Sequence, residues 1–471
     1  MPRIDLSFTG GLNLRDSLEE IAQNETPDAL NSTLTVTGAA RPRAGCTQVA
    51  TLPAGTAKFL YYSSVLNKWF CQVGTVLYVR PGDLSGSWAS HLTGVQAGLA
   101  VAMVDFDTVA VIAAEGLGIY TTDGVTPVLV TSSVTGHALA VFKNRVWLAN
   151  SVNATVYFSA IGNPASIGAS DFVQVREKDA KGCTGFGFAQ AGGLILYKRE
   201  SAYRITDAAT GAYTTIDWST GCVAPQAATN LRGFTYTWAA DGLYAWDGLG
   251  PGVLVGDKVR PRFLSNTASD TARAKVCGAP FEDRVVFAYP VDAESNNRFL
   301  ELYPRQQERT DYLPAAGWVM EHQLAQAGEK EIAFFAIKGG KLYAAVSDGA
   351  AMYEMLGATP GADDGTNYTA HYKTPPMSLG KLSRLQRVRV YGKSDAAATS
   401  TKEIRTYKDW SASVAATFDI TADFESADGA EVADLQALGH GEAFQLEFRA
   451  HSGTGTAELD RLLLDLDPLE R

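Results

Sequence analysis

The segments ALAVFKNRVWLANSVNATVYFSAIGN (138–163), FGFAQAGGLILYKRESAYRITDAATG (186–211) and ATNLRGFTYTWAADGLYAWDG (228–248) repeat one pattern three times. Each carries an apolar alternating run, a polar turn, and a shorter run with a tyrosine near its middle: Tyr157, Tyr203 and Tyr244. Alternation at period two marks β-strands, and its recurrence marks a repeated β-unit.

Working outward, seven units align between Lys58 and Gly357 on an equivalent position in the final strand of each. The anchors are Tyr78, Tyr120, Tyr157, Tyr203, Tyr244, Leu302 and Tyr353. Their spacing of about 46 residues falls in the range of four-stranded propeller blades. The sixth unit is the least regular, so six blades is the alternative count. Asp-Gly pairs at Asp123, Asp241, Asp247 and Asp348 supply turn chemistry beside these runs, where tight hairpins need positive φ. The fold class read from this pattern is all-β, a β-propeller, with a sandwich or a helical β-array as its competitor.

Composition agrees with that class. The 471 residues are 46% hydrophobic, with 45 glycines and 18 prolines, which suits many strands and tight turns around a sizeable core. The net charge of -11, from 40 basic and 51 acidic side chains, disfavours a protein that holds nucleic acid. Five scattered cysteines without a C-x-x-C pair give neither a disulfide framework nor a zinc site. The start MPRIDLSFTG lacks a signal-peptide core, and no apolar run approaches the roughly 18 residues of a membrane span. Synthesis in a cytoplasm and no membrane insertion are the expectations.

The repeats are bracketed by two other regions. Residues 1–50 read as an arm for docking and assembly, with helix-start signals at Ser17/Glu20 and Thr26–Pro27 and a short strand over Leu34–Gly38. The propeller takes 51–360. Loop formers in ATPGADDGTN then introduce 361–471, a C-terminal β-sandwich. In LQRVRVY, Leu385, Arg387 and Arg389 are assigned to one face, Val388 and Val390 to the other. Phe444, Leu446 and Phe448, and likewise Leu462, Leu464 and Leu466, form further inward faces.

The arm motifs FTGGLNLRDS, NETPDALNSTL and TGAARPRAGC, followed by FKNRVWLANSVNATVYFSAIGNP, GLILYKRESAYRI, TWAADGLYAWDG and HGEAFQLEFRA, resemble tailed-bacteriophage tail hub and nozzle propeller proteins. That resemblance implies a structural virion protein of a short tail. It implies a ring, a homo-oligomer of six copies, below the portal and head-to-tail adaptor. The ring would meet tail fibre, spike or tail-tip proteins and pass DNA without sequence recognition.

The residues themselves supply no catalytic signature. The histidines His91, His137, His322, His371, His440 and His451 show no metal spacing, and no nucleophile elbow or phosphate loop occurs. The Asp-Gly carboxylates are candidates for a glycosidase pair, but turn geometry already accounts for them. No catalytic, metal or cofactor residue is assigned. Basic runs at Arg41 and Arg43, at Lys258, Arg260 and Arg262, and at Lys381, Arg384, Arg387 and Arg389 are read as interface or solvent rather than DNA contacts. Arg41, Arg43, Arg387 and Arg389 are the candidate assembly interface. Asp460, Asp465, Asp467 and Glu470 offer opposite charge, within the domain or on a neighbouring copy. The alternatives to a tail component are a propeller module that binds a host-surface glycan or receptor, and a carbohydrate-active enzyme.

Overall fold

The computed structural model describes residues 3–468 apart from 36–37, 151, 176–181, 190–192, 306–314, 325–329, 348–349, 359, 395–398, 426–427, 437, 452 and 456. Seven four-stranded antiparallel sheets form a propeller. Blades 1 to 6 are continuous in the chain, over 57–93, 102–131, 138–174, 185–217, 228–254 and 277–322. Blade 7 takes three strands from 332–358, and its outermost strand is Gly45–Thr51, from upstream of blade 1. The innermost strands pack in chain order, and Ile332–Lys338 of blade 7 meets Ala57–Ser63 of blade 1, so the ring closes.

All seven sequence anchors occupy one structural position, the third strand of a blade rather than the last. The fourth strand, such as Phe172–Gln174 or Val253–Leu254, is short and carries little alternation, so sequence reading stops one strand early. The irregular sixth unit is a full blade, and the count is seven.

Blade strands are apolar on both faces because each sheet is covered on both sides by its neighbours. In the second strand of blade 2, Ala110 and Ile112 join the core shared with blade 1, while Val111 and Ala113 join the core shared with blade 3. In blade 3, Val146 and Leu148 face blade 2, and Trp147 and Ala149 face blade 4. The core is therefore a ring of inter-blade layers. Several first hairpins turn through two residues of positive φ, including Lys143–Asn144 in the NR turn and Gly339–Gly340.

The C-terminal domain is one sheet of eleven strands that folds back on itself around a single core. Its pivot is the 18-residue strand Met377–Ser394. Residues early in that strand pair with His440–His451, and later ones pair with Ala457–Pro468 on one side and Asp428–Gln436 on the other. The two expected sandwich layers are thus joined by hydrogen bonds through a shared strand. The inward assignments of Phe444, Leu446, Phe448, Leu462, Leu464 and Leu466 agree with their burial. Leu385 does not lie opposite Val388 and Val390. All three are buried in the same core, because a bulge between Leu385 and Arg387 inserts a residue and restores the phase.

The first 50 residues dock, and their docking surface is the C-terminal sheet of the same chain. Four of the eleven strands of the C-terminal sheet come from them: Arg3–Leu6, Asp28–Leu30, Ser32–Leu34 and Ala40–Pro42. Arg3–Leu6 pairs with Asp465–Leu462, and Asp28–Leu30 pairs with Lys373–His371. Leu6 and Phe8 are fully buried in the C-terminal core, each stabilising it by roughly 1.5–3 kcal/mol. Gly11 lies directly against Trp318 of blade 6, where any Cβ would clash. This segment therefore staples the propeller to the C-terminal sheet. The expected helix at Thr26 is absent, since Thr26 sits in a strand and its hydroxyl bonds the Asp28 and Lys373 carbonyls. The Ser17 hydroxyl donates to the Glu20 carboxylate within a turn, and no capping box or helix forms there.

Candidate functional site

The residues singled out as assembly contacts are engaged within the chain. Arg43 is wholly buried, and its guanidinium forks onto Asp363, with Nη1 to Oδ1 at 2.9 Å. It also donates to the Ala44 and Gln323 carbonyls and to Asn31, and it lies 4.2 Å above the Tyr368 ring. Burial opposes its charge, but the Asp363 carboxylate outweighs that cost and holds it protonated. Arg43 is therefore a joint between the N-terminal segment, blade 6 and the C-terminal domain, and it presents nothing to a partner. Arg41 bridges to Glu458 at 3.3 Å, Arg389 to Asp465 at 3.0 Å, and Arg387 pairs with Asp434. Arg3 shares Asp465, and Gln386 binds Asp467, so these carboxylates find their partners inside the domain.

The middle basic run is equally absorbed: Lys258 pairs with Glu25, Arg260 with Asp241 and Arg262 with Glu321. Asp123 and Asp247 each accept two backbone N–H bonds from the turn that follows them. Both turns connect the third and fourth strands of a blade rather than forming a two-residue hairpin. Asp348, Glu470 and the Lys381 side chain lie outside the described residues. Among the described residues no three His, Cys, Asp or Glu side chains are grouped closely enough to hold a metal ion.

A second buried ionic cluster lies nearby in blade 6. Glu301 is fully buried and accepts from Arg284 Nη1 at 3.0 Å and from the Thr33 hydroxyl at 3.2 Å. Burial would raise its carboxyl, but Arg284 and His322 hold it down at about 2. His322 is 3.7 Å from Glu301 and is pushed by burial toward its neutral form. Arg284 is therefore the cation that balances Glu301.

The feature that all seven blades build together is a cavity of about 360 Å³ on the propeller axis. Its wall lies where the chain enters each innermost strand: Lys58, Leu99, His137, Thr184, Gln226, Lys275 and Ile332, one from each blade in turn. Apolar Leu99, Ile332 and Phe334 line it beside hydroxyl and amide groups. Lys58, Lys275 and Glu331 are the charged residues of the described lining. Burial and the neighbouring Lys275 lower the Lys58 ammonium, and Glu331 partly offsets them. The Lys275 ammonium donates to the Glu294 carbonyl, and the hydroxyls of Ser295 and Ser347 donate to Glu331. Burial pushes His137 down to about 4, so it is neutral near pH 7.

Sequence reasoning missed this site because its residues are spread from position 56 to position 347 with no local motif. The signal available was phase: one lining residue of each blade lies just before or at the start of the repeat's first strand. The cavity's volume of about 360 Å³ falls in the range of small-ligand sites. The cavity suits a small molecule.

No family model matches the chain, and no curated protein does. Among solved structures it is similar to the computationally designed Ika8 protein, with 14% identity over 66% of this chain and 99% of that one, at a TM-score of 0.38. It is also similar to BamB from Moraxella catarrhalis, with 10% identity over 67% and 97% of the two chains and a TM-score of 0.42. A third likeness is to BBS1N, solved in complex with ARL6DN, with 12% identity over 67% and 97% and a TM-score of 0.43.

Proposed function

We propose that this chain is a structural component of a phage tail, a rigid building block that assembles as a ring forming part of the DNA-ejection conduit. The observation that supports the reading best is the staple. The motifs that resemble tail hub and nozzle proteins, FTGGLNL, NETPDAL and ARPRAGC, are the segments that lock propeller and C-terminal sheet together. A part that must keep its shape while DNA passes gains from a closed ring of blades and buried ionic joints. In such a ring the conduit is the space enclosed between copies. The net charge of -11 keeps such a path from adhering to phosphates. Electron microscopy of the purified protein, alone and with virion tails, tests this. Rings of about six copies are expected, and a persistent monomer absent from tails refutes it.

The axial cavity favours a second reading, a propeller module that binds a host-surface glycan or receptor. Its polar lining of both charge signs within apolar walls is the usual make-up of a small-ligand site. Host-cell adsorption by the purified chain, competed by soluble glycans, distinguishes this reading from the first.

A further inference from the structure

We infer that the axial cavity takes an acidic sugar, with Lys58 and Lys275 receiving its carboxylate and Glu331 with the neighbouring amides receiving its hydroxyls. This rests on the binding reading above. The first support is charge: in a chain of net -11, the described lining of this one cavity carries two ammonium groups and a single carboxylate. Lys58 makes no hydrogen bond or close ion pair among the described residues, and its depressed ammonium gains from an added anion. His137, held neutral by burial, leaves that balance unchanged near pH 7.

The second support is the remainder of the wall. A sugar needs acceptors and donors for its hydroxyls and an apolar surface for its ring C–H groups. Glu331 and the Asn296 Oδ1 are acceptors, Gln226 carries both functions, and Leu99 and Phe334 provide the apolar surface. The volume of about 360 Å³ lies at the small end of ligand sites, which span about 300–1,000 Å³. That suits one or two rings. An acidic peptide is disfavoured, because extended peptides are read along a groove or sheet edge rather than in an axial cup.

Titration calorimetry of the full chain with sodium glucuronate, glucose and a glutamate peptide is the test. Glucuronate is expected to bind saturably at one site per chain, at least tenfold tighter than glucose or the peptide. Lys58→Met and Lys275→Met should each weaken it at least tenfold with unchanged thermal melting. Equal binding of glucose, preference for the peptide, or indifference to both substitutions overturns the inference. A glycan array separates the levels of the argument. Signals confined to neutral glycans, with no glucuronate binding, overturn this inference and leave the binding reading standing. Silence in both experiments overturns both.

Discussion

Replacing Arg43 by methionine isolates the joint between the propeller and the C-terminal domain. The substitution keeps an apolar stem but removes the fork onto Asp363 and the donors to Ala44, Gln323 and Asn31. Asp363 is itself only 2% exposed, and it keeps the Cys46 N–H at 2.9 Å while losing its countercharge. Breaking a buried pair from one side costs about 3–5 kcal/mol, because a charge is left uncompensated. Asp363→Leu should cost a similar amount from the other side. In the double variant no charge remains, so its loss should fall below the sum of the two singles, by about 1–3 kcal/mol. Urea unfolding followed by tryptophan fluorescence reads these values as midpoint shifts at constant slope. Single losses under about 1 kcal/mol, or strict additivity, would refute the view that this pair holds the domains in register.

The remaining predictions concern titration, truncation, backbone and thiols. Glu301 has a folded pKa near 2, below its unfolded value, so its stabilising effect is complete above about pH 4.5 and lost as pH falls toward 2. Acid titration of Glu301→Gln should lack that limb, a difference of roughly 3 kcal/mol, and an unchanged acid profile counts against the assignment. His137, lowered to about 4, likewise contributes stability present above about pH 6.5 and lost between there and pH 4. Stability profiles of His137→Gln should be flatter in that window. Deleting residues 2–44 should unfold the C-terminal sheet, exposing the surface that Leu6 and Phe8 cover, while blade 7 retains Gly45–Thr51. Proteolysis confined to 361–471 is the expected readout, and a resistant C-terminal domain would show the staple dispensable. Gly118 sits at φ 118 with the Thr131 carbonyl against any added Cβ, so Gly118→Ala should cost about 1–3 kcal/mol in melting experiments. All five cysteines are free and buried, so a thiol reagent should label them only after denaturation.

How far the sequence could be read depended on the length of each element. The propeller was legible because strands such as Arg145–Ala149 and Gly193–Tyr197 are buried on both faces, and the pattern recurs seven times. The strands of the N-terminal segment were not legible because they are two to four residues long up to Pro42. At that length alternation is uninformative, and partners such as Leu462 and His371 lie hundreds of residues away. The face of Leu385 was misplaced by one bulge, which reverses every period-two assignment beyond it. Arg43 looked like an interface residue because sequence shows charge and not burial. Its anchor Asp363 stands in ADDG, a stretch that reads as loop.

The closure of blade 7 has a consequence for how the molecule comes into being. Gly45–Thr51 leaves the ribosome before every strand of blades 1 to 6, yet its partner Ala351–Ala358 follows about 300 residues later, which at 5–20 residues per second is roughly 15–60 s of translation. Through that interval six blades can stack on one another in sequence, but the ring stays an open arc with an orphan strand at its leading end. Arg3–Leu6 waits longer still, for the last strand of the chain. That sheet is therefore completed only once Ala457–Pro468 has been made. Crowded nascent copies exposing the same orphan strand and the same waiting partner are poised to exchange them, which makes strand swapping between neighbours the characteristic error of this fold.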